Sequence, residues 1–123
     1  MSNNNIKFNG SPKPTLGVEL ELFTVDNNNY ALTNGAPFIL SHFKDNFFFK
    51  EELLQCIVEI TTDVCDNVKD VYKDLRPKLD MAIEYSNNNN MELLSMPIHP
   101  FSRVADQKVT NNKRYLDFLE RMQ

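Results

Sequence analysis

The sequence has 123 residues, 41% of them hydrophobic with nine Phe and four Tyr, which suits one core and is too short for two independent domains. Net charge is −4, and the 13 Lys and Arg are scattered among 17 Asp and Glu, which excludes the basic stripe of a non-specific nucleic-acid binder. No apolar run approaches the roughly 20 residues that span a bilayer and the start MSNNNIKFNG has no secretory pattern, so no membrane partner is expected and the compartment is the reducing cytoplasm.

Residues 1–14 are polar, carry Pro12 and Pro14, and read as a loosely held leader. From Leu16 to Val25 the residues alternate, with Leu16, Val18, Leu20 and Leu22 on one face and Gly17, Glu19, Glu21 and Phe23 on the other, which predicts a half-buried strand. Asp26 to Asn29 supply a turn, and the segment from Pro37 to Phe43 predicts a short helix with Pro37 at its first position. A second alternating run covers Leu53 to Thr61, placing Leu54, Cys56, Val58 and Ile60 opposite Leu53, Gln55, Ile57, Glu59 and Thr61. Asp66 predicts the cap of a long amphipathic helix to about Tyr85, with a kink or break near Lys73 to Arg76 because Pro77 lacks a backbone donor. Met91 to Met96 reads as a third strand and Asn111 to Met122 as a further helix. Cys56 and Cys65 lack any CxxC or zinc-ligand spacing and are expected as free, buried thiols.

Glu19 and Glu21, two apart on a strand, share a face. If the second strand turns its apolar side into the same core, Glu59 emerges beside them and three carboxylates converge, a set that repels itself unless a proton or a hard cation such as Mg²⁺ neutralises it. On the pattern alone, the wet face of a half-exposed strand is the simpler account of these glutamates. By the same standard His99, between Ile98 and Pro100, is a packed loop residue and Arg114 an exposed helix residue.

Three segments, in order, change that balance. TLGVELELFTVD (15–26), ELLQCIVEITTDVC (52–65) and IHPFSRVADQKVTNNKRYLDFLE (98–120) resemble the opening acidic strand, the next acidic strand, and the His-Pro-Phe loop with its Arg-Tyr helix of the bacterial and plant-type glutamate–cysteine ligases and related carboxylate–amine ligases. The usual small residues before that loop are replaced by Ser95-Met96-Pro97-Ile98. The resemblance implies an α+β fold, a partial antiparallel sheet with helices packed on one face, like the N-terminal part of a glutamine-synthetase-like catalytic domain over residues 15–123. It implies an ATP-dependent ligase in which the γ-carboxylate of glutamate takes a phosphoryl group and cysteine or another amine displaces phosphate, a reaction of glutathione biosynthesis. It further implies that Glu19, Glu21 and Glu59 face Mg²⁺ or Mn²⁺, that Gln55 precedes Glu59 on the same strand face, and that Arg114 faces the substrate carboxylate. His99 is left without a role.

By the same resemblance the chain covers only the first part of such a domain, so either a truncated or split-gene product or a partner chain that supplies the rest is expected, and the unpaired sheet edge favours self-association. The alternative is a divalent-ion or amino-acid binding module, or an inactive fragment, derived from such a ligase. The expectation is therefore no appreciable ATP-dependent ligation of glutamate with cysteine by the isolated 123-residue chain. Coupled ADP release that Glu19→Gln abolishes would show the opposite.

Overall fold

The computed structural model describes residues 10–122, and the leader expected over 1–14 lies in part outside these residues. Alternation produces the strands: β1 (Glu19–Asp26), β2 (Phe49–Glu51), β3 (Ile57–Thr61) and β4 (Met91–Leu94) form one antiparallel sheet in the order β2-β3-β1-β4. Leu22 and Phe49, with Val58 and Ile60, bury one face of that sheet against Ala36 and Ile39 of α1 (Ala36–His42) and Ala82 of α2 (Val68–Asn87). This is the expected α+β arrangement. A third helix, α3 (Lys113–Arg121), attaches by its first turn to the end of β2, where the Tyr115 hydroxyl donates to the Glu51 carbonyl at 2.8 Å. Among the described residues no helix is long and apolar enough to cross a membrane.

Several local expectations need correction. The second alternating run begins as a tight turn: Gln55 and Cys56 are not in a strand, the Ile57 N–H closes back on the Leu54 carbonyl at 3.0 Å, and Leu54 pairs instead with Val109. Pro37 occupies the second helical position of α1, behind Ala36 and the capping Gly35. Gly35 is required by a close approach, since a Cβ there would stand 2.5 Å from Met91 Sδ and 3.1 Å from the Thr24 side chain.

The cap of α2 is Asn67, whose side chain accepts the Asp70 N–H at 3.1 Å, while Asp66 instead meets Lys13 at 2.8 Å. Helix α2 runs without a break through Pro77, although proline leaves the Lys73 carbonyl without its helical donor. Side chains bind the two sides of the proline together. Lys78 Nζ reaches Asp74 at 2.5 Å and the Thr61 carbonyl at 3.2 Å and lies 3.3 Å from the centre of the Phe48 ring, and Arg76 pairs with Asp80 at 2.9 Å. Pro77→Ala, which restores the missing donor, should raise stability by about 1–3 kcal/mol in chemical denaturation.

Candidate functional site

The register that buries Leu22 against Val58 and Leu20 against Ile60 sets Glu21 directly opposite Glu59 on the other face, with Glu19 opposite Thr61 one pair along. Like charges directly across an antiparallel pair repel. Glu59 is only 7% exposed, and burial, reinforced by the Glu19 charge and by Glu52, pushes its carboxyl above the usual carboxylate range despite the opposing pull of Lys50. Oxygens of Glu21, Glu52 and Glu59 all lie within 4.8 Å of one another. Two oxygens on one Mg²⁺ stand at most about 4.2 Å apart, twice the metal–oxygen distance, so small rotamer changes would let this hard-oxygen set close on a divalent cation. Of the three expected carboxylates, the structure brings Glu21 and Glu59 together. Glu19 shares their face and acts on Glu59 through its charge, but lies outside the closest group.

Glu52, the third member, was not a candidate on sequence, because it follows β2 outside any alternating pattern. Distant residues hold it in place. Thr110 Oγ1 donates to the Glu52 carbonyl at 2.5 Å, the Thr110 N–H donates to the Leu53 carbonyl at 2.9 Å, and the Gln55 N–H donates to the Lys108 carbonyl at 2.8 Å. Gln55 itself turns away from the acidic face, its Nε2 donating to the Val109 carbonyl at 3.2 Å. The same strap carries α3, so Arg114 and Glu52 line one cleft of about 550 Å³ with Leu53, Tyr115 and Phe118. Within it Tyr115 has its phenol pushed above the ordinary range, first by burial and then by the Glu52 charge, with Arg114 opposing.

At the other end of the acidic face His99 is buried. Its Nε2–H donates to the Tyr30 carbonyl at 2.8 Å and its Nδ1 accepts the Ser102 N–H at 3.0 Å, which fixes the neutral Nε2–H tautomer and occupies both nitrogens. His99 is thus a packed loop residue that pins the 99–102 segment to the Tyr30 turn, with Phe23 meeting its ring edge-on at 6.3 Å. Cys56 and Cys65 are buried, as expected.

Residues 15–123 match the description "Glutamate-cysteine ligase family 2". The chain belongs to that family. Over 118 residues, 96% of the chain, it is 37% identical to proteins of Mycobacterium tuberculosis and Mycobacterium bovis named "Putative glutamate–cysteine ligase 2", and 33% identical to a Mycobacterium sp. (strain JLS) protein named "Putative glutamate–cysteine ligase 2-1". The chain spans 31% of the length of these relatives.

Glu59 is a buried carboxylate directly opposite another. Because its folded pKa is raised, Glu59 contributes stability that is fully present below the ordinary glutamate range and is lost as pH rises through the elevated folded value. Glu59→Gln should therefore raise the melting temperature at neutral pH, and the gain should vanish as pH falls below the ordinary glutamate range. Thermal unfolding across pH checks both halves.

Proposed function

We propose that this chain carries the acidic, metal-facing part of an ATP-dependent carboxylate–amine ligase of the glutamate–cysteine type, with glutamate, cysteine or another amine, and ATP as substrates. The directly opposed Glu21 and Glu59, joined by Glu52, support it most. Two carboxylates directly across one register pair, one of them buried, repel each other, and a shared cation converts that repulsion into attraction. In this reading Glu21, Glu52 and Glu59 hold Mg²⁺ or Mn²⁺, which when bound would neutralise phosphate charge. Glu19 adds to the negative field.

Arg114 faces the cleft it shares with Glu52, where a planar guanidinium can take the carboxylate of an amino acid through two hydrogen bonds. Phosphoryl transfer to the γ-carboxylate of glutamate, followed by attack of the amine, is the reaction attributed to the complete ligase, of which residues 15–123 form one portion of the catalytic domain.

The test is thermal unfolding with and without Mn²⁺ for the wild-type chain, Glu19→Gln and Glu21→Gln/Glu59→Gln. Binding to the folded state alone stabilises it by about 2.7 kcal/mol at a hundredfold excess over Kd. Wild type should gain stability, Glu19→Gln should keep most of that gain, and Glu21→Gln/Glu59→Gln should lose it. Equal shifts in all three would reduce the cluster to a solvated strand face.

A further inference from the structure

Besides carboxylates, the acidic face carries a cation of its own. Lys50 is the register partner of Glu59 on the outer strand β2, and its Nζ stands 3.3 Å from Glu59 Oε1. Among the described residues no other Lys or Arg nitrogen lies within 4.0 Å of the Glu21, Glu52 or Glu59 carboxylates. The pair is asymmetric: the Lys50 side chain is 49% exposed and the Glu59 side chain 9%. The carboxylate is buried and the lysine side chain half exposed.

We propose that Lys50 is the resident counter-cation of the carboxylate cluster, that its ammonium and a divalent ion exclude one another at Glu59, and that Lys50 thereby sets the affinity of the cluster for metal. The inference rests on reading Glu21, Glu52 and Glu59 as a divalent-ion site. A divalent ion shared by these oxygens would sit within a few ångströms of Nζ, where like charges repel twice as strongly as two unit charges would. Lys50 has somewhere to go. Beside it opens a hollow of about 350 Å³ lined by Gly17, Val18, Glu19, Thr61 and Thr62, and a lysine on an outer strand reaches water by rotating its own stem. Without metal, the ammonium supplies the positive charge beside Glu59. With metal, that role passes to the ion.

The experiment is a Mn²⁺ titration read by electron paramagnetic resonance of the free ion, on wild type, Lys50→Met and Lys50→Arg, paired with metal-free thermal unfolding of Lys50→Met and Lys50→Met/Glu59→Gln. Lys50→Met should bind Mn²⁺ about fivefold more tightly at low salt, with the difference shrinking as salt rises, and Lys50→Arg should not gain affinity. Without metal, Lys50→Met should melt below wild type, and adding Glu59→Gln should restore the loss. If wild type and Lys50→Met bind Mn²⁺ equally, or Lys50→Met binds more weakly, the inference is overturned while the metal reading stands. If neither binds Mn²⁺, the metal reading falls and takes the inference with it. Failure of Glu59→Gln to rescue Lys50→Met overturns the pairing itself.

Discussion

The antiparallel register between β1 and β3 is the constraint on which the remaining features depend. Leu20 and Leu22 meet Ile60 and Val58 in the helix-facing layer, and because side chains alternate, that match leaves Glu21 no position except across from Glu59. A slip of either strand by one residue would turn that strand's carboxylate into the apolar layer under α1 and α2, so the core enforces the acidic pair. The same strand β3 pairs with β2 up to Glu51, which delivers Glu52 to the cluster at the point where the chain leaves the sheet. One pattern of apolar residues thus fixes Glu21 and Glu59 on the opposite side, and the end of β2 brings Glu52 to them.

Each face of the sheet has its own lysine, and the carboxylates they meet, Glu59 and Asp74, are shifted in opposite directions. Lys78, buried between α2 and the end of β3, holds the Asp74 carboxyl below the usual range, chiefly by direct hydrogen bonding. Asp74 therefore contributes stability above the ordinary aspartate range, lost as pH falls through its lowered folded value. Lys50 works against burial rather than with it, and Glu59 remains raised. Acidification relieves the acidic face while it weakens the link between helix and sheet.

How far sequence reaches follows from how local each feature is. The strand around Glu21, the helix after Asn67 and the shared parity of Glu21 with Glu59 are written in short-range alternation or in three- and four-residue steps, and those expectations hold. β2 escaped because Phe47 to Phe49 is a continuous apolar run with no alternation to read. Gln55 was misplaced because apolar alternation continues through Leu54 and Cys56 while the backbone turns, bound to residues 108–110 more than fifty positions away. Glu52 was invisible for the same reason. His99 shows the reverse: its bland account as a packed residue was available from composition, and its two hydrogen bonds supply the physical reason.

Glu52 also links an arginine on a peripheral helix to the sheet-bound cluster. It is at once a member of the carboxylate group and a wall of the Arg114 cleft. Its Oε2 accepts the following Leu53 N–H at 3.1 Å, which restricts the carboxylate, while its carbonyl and that of Glu51 are held by Thr110 and Tyr115. Tyr115 follows Arg114 in sequence, so the bond that seats α3 also fixes where the guanidinium starts. From Arg114 to Glu59 the path therefore runs through one hydroxyl–carbonyl bond and one constrained glutamate. Error in the relative placement of Arg114 and Glu59 grows with every soft link between them, and this path has few.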